Sequence, residues 1–163
     1  HFEDKREFNL KKYVDDLLLS LQNQLRSKQV RVNNFIDETM VLEGYPGICS
    51  QILSNFILNS IKHGFEEDLN GEKGNMIEIS AKEVNGKLVI RYLDNGQGIT
   101  DAIEKRLFDP FFTTKRGQGG SGLGLNVVYN LVTQKMGGTL EVVRVSPHGL
   151  GFTITFNSPV IKG

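Results

Sequence analysis

Hydrophobic side chains recur at helical spacing in three stretches of the chain, residues 9–27, 48–63 and 123–136. The first stretch alternates this apolar stripe with charged residues and begins at Asn9, a good N-terminal cap, so it predicts an amphipathic helix. The second is apolar on nearly all sides, as a buried helix should be, and ends at Gly64. A short charged helix is expected between residues 100 and 107.

Alternating apolar and polar residues predict six β-strands: 30–36, 39–42, 76–84, 87–93, 139–145 and 152–156. The third and fourth are joined by Asn85-Gly86, the strongest short sequence signal for a hairpin, so they should pair antiparallel. A turn containing Pro147 and His148 should separate the last two. Because few strands alternate with helices, the order favours an α+β fold, a two-layer α/β sandwich, over a doubly wound parallel sheet.

Length and composition indicate one soluble globular domain. The 19 Lys and Arg residues balance the 19 Asp and Glu residues, so no overall positive charge favours nucleic acid or a membrane surface. A single cysteine, Cys49, can form neither an internal disulfide nor a cysteine-based zinc site, which favours a reducing, cytoplasmic setting. No apolar run approaches the roughly 18 residues that span a bilayer. Glycine is unevenly distributed, since seven of the 18 lie between residues 94 and 124.

One face of the second predicted helix is polar. Its residues fall on a narrow stripe opposite the apolar side: Asn55, Asn59, Lys62 and His63. Two asparagines at a solvated edge, followed by basic residues that the helix dipole favours, would explain this stripe without any function. Asparagine is nevertheless a poor helix former, and the amide oxygen of Asn59 suits a magnesium ion that takes its other ligands from phosphates and water.

Two glycine-rich segments follow the hairpin. Asp94 ends a strand and precedes Gly96 and Gly98, which would let the backbone approach a flat ligand, although Asp-Asn-Gly is also an ordinary turn sequence. Residues 120–125 open the third helix and would offer backbone N–H groups to an anion, unless the tract is only a flexible linker. Residues 117–122 match a dinucleotide-binding glycine pattern, but no strand precedes them, so that interpretation is rejected.

Four segments resemble, in order and spacing, the boxes of the ATP-binding catalytic domain of bacterial sensor histidine kinases, within the wider superfamily of gyrase, heat-shock chaperone, histidine kinase and MutL. They are an N box at 55–63, a first glycine box at 94–99, an F box at 107–115 and a second glycine box at 120–125. The resemblance covers almost the whole chain. It implies a Bergerat fold, in which a mixed, mostly antiparallel sheet is covered on one face by about three helices and ATP lies beside the N-box helix.

The resemblance also implies how the nucleotide is held. Asp94 should accept a hydrogen bond from the adenine 6-amino group, and Gly98 should allow close contact with the ring. Asn59 should coordinate Mg²⁺ on the phosphates, whose charge Lys62 and Lys115 should offset. The complete set implied to contact ATP is Asn55, Asn59, Lys62, His63, Asp94, Gly96, Gly98, Ile99, Phe108, Thr114, Lys115, Gly120, Ser121, Gly122, Leu123, Gly124, Leu125 and Thr153.

The phosphate end should be enclosed by the segment between the F box and the second glycine box. Backbone amides at 122–124 should cradle the β- and γ-phosphates, and residues 113–121 should form a mobile lid. Its apolar anchor should be a group of three phenylalanines: Phe108, Phe111 and Phe112.

Asn55, together with Asn59 and Lys62, is implied to be catalytic. The ATPase branches that resemble this chain carry a glutamate at the position of Asn55, where it activates water. An amide cannot accept a proton at neutral pH, so Asn55 cannot act as that general base. The resemblance therefore implies a protein-histidine kinase, which preserves the γ-phosphoryl group of ATP for transfer to histidine.

None of the three histidines has the surroundings expected of a phosphoacceptor. We expect the acceptor on a dimerisation domain outside this chain, with residues 1–8 as the tail of the connection to it and 9–163 as the ATP-binding domain. The kinase should form a homodimer through the dimerisation domain, and a response regulator should act downstream. The alternatives are a serine kinase or an ATPase of the same superfamily, or a non-catalytic nucleotide-binding module.

Overall fold

The structure is a computed structural model that describes residues 4–112, 124–158 and 160–162. The α-helices are α1 (Leu10–Ser20), α2 (Gln22–Ser27), α3 (Pro46–Asn59), α4 (Asp101–Glu104) and α5 (Gly124–Asn130). The strands are β1 (Arg6–Asn9), β2 (Val30–Asn34), β3 (Val41–Gly44), β4 (Asn75–Val84), β5 (Lys87–Asp94), β6 (Thr139–Arg144), β7 (Leu150–Phe156) and β8 (Val160–Lys162). Turns of π-helix extend α3 over Ser60–Gly64 and α5 over Leu131–Lys135, and a 3₁₀ turn covers Gly71–Lys73.

The main sheet has five strands in the order β2-β4-β5-β7-β6. Its β2–β4 pair is parallel, and its other neighbouring pairs are antiparallel. A smaller sheet has the order β1-β3-β8, with both pairs antiparallel. The predicted α+β class with a mixed, mostly antiparallel sheet is therefore confirmed.

The β4–β5 hairpin turns at Asn85 and Gly86, as predicted. Their φ angles are 51° and 80°, and a type I′ turn requires positive φ at both positions. The turn fixes the register of the pair, which runs from Val84 opposite Lys87 to Ile77 opposite Asp94. This register decides which residues of β5 face the core.

One face of β5 points into the core. Ile90 and Tyr92 are each 1% exposed, and Asp94 is the next residue of the same alternation. Across the core, Phe56 of α3 stacks on Phe152 of β7 with ring centroids 4.3 Å apart. Asp94 is thus the last residue of this mostly apolar face and its only acidic one on β5, and it lies next to the end of α3.

The helices differ from prediction in two places. The helix expected between residues 100 and 107 is α-helical only over Asp101–Glu104. The predicted helix 9–27 is divided at Leu21, whose φ of −102° interrupts the helical geometry between α1 and α2. Leu21 and Leu25 are both buried, so the apolar spacing continues across the break, and the pattern alone shows one helix. Helix α3 contacts both α1 and α5, as its nearly all-round apolar pattern indicates. Among the described residues, no helix is both long and apolar enough to cross a membrane.

Strands β1 and β8 were not predicted. Three of the four residues of β1 lie within segment 1–8, which we interpreted as a connecting tail, and β1 pairs with β3 from Arg6 opposite Gly44 to Asn9 opposite Val41. In so short a strand the alternation is hard to detect, since Phe8 is the one buried side chain of β1. Strand β3 also begins later than predicted, because a turn in which the Asp37 carboxylate accepts the Thr39 N–H at 2.8 Å occupies the start of that run.

Candidate functional site

Asp94 is a buried carboxylate at the end of β5, only 4% exposed. Its Oδ1 accepts the backbone N–H of Gly96 at 3.0 Å and that of Leu150 at 2.9 Å, and its Oδ2 accepts the Ser60 hydroxyl at 2.6 Å. Burial raises the pKa of Asp94, while these hydrogen bonds and the nearby His148 oppose the rise. Because each carboxylate oxygen has two lone pairs, Oδ1 is saturated and Oδ2 retains one for a ligand.

The loop after Asp94 is held by protein contacts on two sides. Gly96 lies against Gly64 so closely that a Cβ at Gly96 would be 2.6 Å from the Gly64 carbonyl oxygen. Gln97 donates its backbone N–H to the same oxygen at 2.9 Å and its side-chain amide to the His63 carbonyl at 2.6 Å. On the other side, Nδ1 of His148 lies 2.8 Å from the Gly96 carbonyl oxygen. Gly96 is thus required by the close approach of two backbones, whatever it contacts in a ligand.

The π turn at the end of α3 connects the N box to this loop. Its hydrogen bond runs from the Phe65 N–H to the Ser60 carbonyl at 2.8 Å, one residue longer than in an α-helix. The wider turn leaves the carbonyls of His63 and Gly64 to accept from the loop, while Ser60 contacts Asp94. Such π turns occur frequently at functional sites, and this one joins the two boxes expected at the adenine end.

The polar stripe runs along α3 and the π turn that follows it. Asn55 and Asn59 are half-buried, whereas Lys62 is exposed. A Cβ at Gly124 would lie 3.8 Å from Oδ1 of Asn55, so the start of α5 adjoins one end of the stripe. At 1.5 Å per residue, the helix covers roughly 13 Å from Asn55 to Gly64. A ligand that reaches both ends of the stripe must therefore be elongated.

The F box is attached to α5 through Phe108. Its ring stacks on Tyr129 with centroids 5.5 Å apart, and its carbonyl oxygen accepts the Asn126 side-chain amide at 3.0 Å. Phe111, in contrast, is 55% exposed and adopts a positive φ of 66°. Phe112 is half-buried, with the Arg106 guanidinium 4.7 Å from its ring centre. Among the described contacts, Phe108 is therefore attached to α5, whereas Phe111 is largely exposed. The lid that the three phenylalanines are expected to anchor lies outside the described residues.

Thr153 is not brought to this site. Phe152 and Ile154 of β7 are buried in the core, so Thr153 between them lies on the opposite face of the sheet from Asp94. Its expected contact with ATP is corrected for that reason. Two other members of the expected set have packing roles in the described structure, since Leu125 is buried and Ile99 packs against the core.

Several expected contacts lie outside the described residues. They are Thr114, Lys115, Gly120, Ser121, Gly122 and Leu123, together with the expected lid at 113–121. Gly98, near the C-terminal end of the first glycine box, is described and has a φ of 75°, which favours glycine.

Sequence reasoning missed several residues that shape the site. Ser60 carried a weak signal, as a polar residue in an apolar helix beside Asn59, whereas Tyr92 reads as an ordinary core residue of β5. His148 and Leu150 carried no signal at all, because they are 52 and 56 residues away from the groups they contact. Asn126, which we had no reason to single out, attaches Phe108 to α5.

The chain is similar to known proteins in both sequence and fold. The chain is similar to the sensor histidine kinase ZraS of Escherichia coli (strain K12), at 31% identity over 153 residues that cover 93% of this chain and 30% of ZraS. Its structure resembles the catalytic domain of the histidine kinase ThkA, with a TM-score of 0.76, 22% identity and coverage of 95% and 97% of the two chains. It also resembles full-length ShkA in complex with AMPPNP, with a TM-score of 0.81, 19% identity and coverage of 99% and 33%.

The chain spans less than a third of the length of the curated relatives it matches. A family model described as histidine kinase-, DNA gyrase B- and HSP90-like ATPase matches residues 45–161, which include α3, the Asp94 loop and α5. Because that match covers well over half of the chain, the protein belongs to the family of histidine kinase-, DNA gyrase B- and HSP90-like ATPases.

Proposed function

We propose that this chain is the Mg²⁺- and ATP-binding catalytic domain of a sensor histidine kinase, which transfers the γ-phosphoryl group of ATP to a histidine on a dimerisation domain outside the chain. The observation that carries the proposal is the chemistry at the two ends of the N-box helix. A buried carboxylate, Asp94, lies at one end, and an amide, Asn55, rather than a carboxylate lies at the other.

Asp94 supports adenine recognition. Its Oδ2 has one lone pair left to accept a hydrogen bond from an exocyclic amino group. Gly64 lies beside this oxygen, and a Cβ there would be 3.2 Å from Oδ2, so glycine keeps the approach open. Guanine would place its O6 acceptor against the carboxylate, and two buried acceptors facing each other are strongly unfavourable. The site should therefore prefer ATP to GTP.

The phosphate end supports a magnesium ion held chiefly by the nucleotide. Within the described ranges, no group of three His, Cys, Asp or Glu side chains could hold a metal. The half-buried Asn59 amide oxygen fits Mg²⁺, which prefers few protein ligands and takes the remainder from phosphates and water. Bound there, Mg²⁺ would neutralise phosphate charge. The exposed Lys62 on the same stripe would add a positive charge, as would Lys115 and the amides of residues 122–124.

Asn55 supports phosphoryl transfer rather than hydrolysis of ATP. It lies beside the start of α5, where the terminal phosphates are expected, and its amide cannot remove a proton from water. The γ-phosphoryl group would then persist until an acceptor histidine enters the site. That acceptor would belong to the dimerisation domain of the homodimer, and a response regulator would receive the phosphoryl group next. The use of ATP and the single buried cysteine fit the cytoplasmic side of the cell.

The test is transfer of ³²P from [γ-³²P]ATP to the dimerisation domain, added as a separate polypeptide with Mg²⁺. We expect a labelled dimerisation domain whose phosphate is lost in acid and retained in base, as for phosphohistidine. An acid-stable product would instead indicate a serine acceptor, and steady release of free phosphate would indicate an ATPase.

The same assay can examine the magnesium end. Asn59→Ala should abolish Mg²⁺-dependent nucleotide binding and transfer, because it removes the amide oxygen. Asn23→Ala, at an exposed position of α2, is the matched control and should behave like the wild type. Equal Mg²⁺ dependence in both variants would remove Asn59 from the proposed site.

A further inference from the structure

A line of buried polar groups continues behind Asp94 into the core. Ser60 contacts Asp94 Oδ2 at 2.6 Å and the Tyr92 hydroxyl at 2.6 Å, and the Tyr92 hydroxyl lies 3.2 Å from the Phe56 carbonyl oxygen. Ser60 and Tyr92 are each 1% exposed. A buried hydroxyl needs partners for both its proton and its lone pairs, so the direction of each hydrogen bond in this line is constrained by its neighbours.

For each protonation state of Asp94, these buried groups have one set of hydrogen-bond directions in which every proton has an acceptor. When Asp94 is ionised, Ser60 donates to Oδ2 and Tyr92 donates to Ser60. When Asp94 is protonated, it can donate to Ser60, which then donates to Tyr92, which donates to the Phe56 carbonyl. Both states are fully paired, but only the first directs the Ser60 proton at the carboxylate.

We propose that Ser60 is a positioning residue for Asp94, oriented by Tyr92, which keeps the carboxylate ionised and fixes Oδ2 in place for the adenine amino group. The inference rests on the proposed function, since it assigns Ser60 a role in adenine recognition. Ser60 does not itself need to touch the nucleotide.

Two opposing effects act on the pKa of the Asp94 carboxyl group. Burial disfavours the charge, and the Ser60 hydroxyl is the largest of the contributions that lower the pKa of Asp94 again, ahead of the two backbone N–H groups. Removing Ser60 would therefore leave burial less opposed, and the carboxylate would take up a proton at higher pH.

The other titratable groups around Asp94 are few. Tyr92 lies on β5, and the pKa of its phenol is raised well above the ordinary value by burial and by the Asp94 charge, so it stays neutral. His148, in the turn between β6 and β7, favours the ionised carboxylate. His63 belongs to the same π turn as Ser60. The residues next to Asp94 on the adjoining strands, Ile77 on β4 and Leu150 on β7, carry no titratable group.

The test compares Ser60→Ala with Ser54→Ala. Both serines lie on the same continuous helical segment, but the Ser54 hydroxyl bonds to the Gln51 carbonyl at 3.1 Å, away from Asp94. Ser60→Ala should fold, because alanine suits a helix and Tyr92 can still donate to the Phe56 carbonyl. Thermal unfolding of both variants checks this directly.

Two readouts are needed. NMR titration of the Asp94 side-chain carboxyl, without nucleotide, should show its midpoint at higher pH in Ser60→Ala and unchanged in Ser54→Ala. Calorimetric titration with ATP should show an affinity loss of about tenfold for Ser60→Ala at neutral pH, growing as the pH is lowered. Tyr92→Phe should shift both readouts in the same direction but less, because Ser60 remains and only its orientation is lost.

The outcomes distinguish this inference from the proposed function. An unchanged Asp94 titration in Ser60→Ala overturns the positioning role, whatever happens to affinity. A shifted titration with unchanged ATP affinity at every pH overturns the link to adenine. If Asp94→Asn itself binds ATP as tightly as the wild type, the proposed function fails, and Ser60 loses its role with it.

Discussion

Asp94→Asn is the substitution for which the structure predicts opposite effects on folding and on binding. The asparagine oxygen can still accept the N–H groups of Gly96 and Leu150, which now reach Oδ1 at 3.0 and 2.9 Å. Its NH₂ group can donate to Ser60, which then donates to Tyr92. Every buried polar group therefore keeps a partner, and the variant should fold.

The same substitution should abolish adenine recognition. The NH₂ group would face the adenine amino group, so a hydrogen bond to a carboxylate is lost and two donors oppose each other in a buried site. The lost bond costs about 1.5–3 kcal/mol and the unpaired donor about 1–3 kcal/mol. A total of about 3 kcal/mol or more weakens the Kd for ATP roughly 100-fold or more. Affinity for GTP should fall less, because guanine O6 can accept from the amide.

The pH dependence of stability gives a second signature. Burial raises the pKa of Asp94 in the folded protein above its unfolded value, so the folded state holds this proton more tightly. The free energy of unfolding therefore decreases as the pH rises through the interval between those two values. The asparagine side chain of Asp94→Asn does not titrate, so the variant should lack this decrease in the free energy of unfolding. Near pH 7 the variant should therefore be at least as stable as the wild type.

The assays are calorimetric titration with ATP and GTP, and urea unfolding across the acid range. Asp16→Asn, at an exposed position of α1, makes the same chemical change away from the site and should leave binding as in the wild type. Wild-type ATP affinity in Asp94→Asn would refute the adenine assignment. A variant that folds but is several kcal/mol less stable at pH 7 would refute the account of the inverted hydrogen bonds.

Two further substitutions probe the contacts around the site. Gly149→Ala should lower the free energy of unfolding, measured in urea, by about 2–4 kcal/mol. The φ angle of Gly149 is 136°, and the new Cβ would overlap the Asp94 carbonyl oxygen. A near-neutral result would contradict this packing. Asn126→Ala should lower the free energy of unfolding by about 1 kcal/mol and alter the near-ultraviolet circular dichroism, because it removes the hydrogen bond to the Phe108 carbonyl. Gln134→Ala, at an exposed position, is its control. Identical spectra for the two variants would argue against the attachment of Phe108 to α5.

The sequence pattern predicted the structure correctly where a feature depends on residues that are neighbours in the chain. The β4–β5 hairpin followed from Asn85-Gly86, because positive φ at adjacent positions is a property of those residues themselves. The polar stripe followed from helical spacing alone, and the half-buried Asn55 and Asn59 lie on α3. The alternation of β7 also indicates which face of the sheet Thr153 lies on. Its apolar neighbours Phe152 and Ile154 are buried, so Thr153 lies on the opposite face.

The amino-acid sequence by itself determined the α+β class, the main helices and strands of the large sheet, and the presence of Asp94 and Asn55 in family boxes. Only the tertiary structure decided what surrounds Asp94, because Ser60 and Leu150 reach it from 34 and 56 residues away. Such contacts depend on sheet order and on the π turn, which no local pattern records. The physical reason is that a buried charge is stabilised by whichever groups the fold brings to it, and separation along the chain carries no information about that choice.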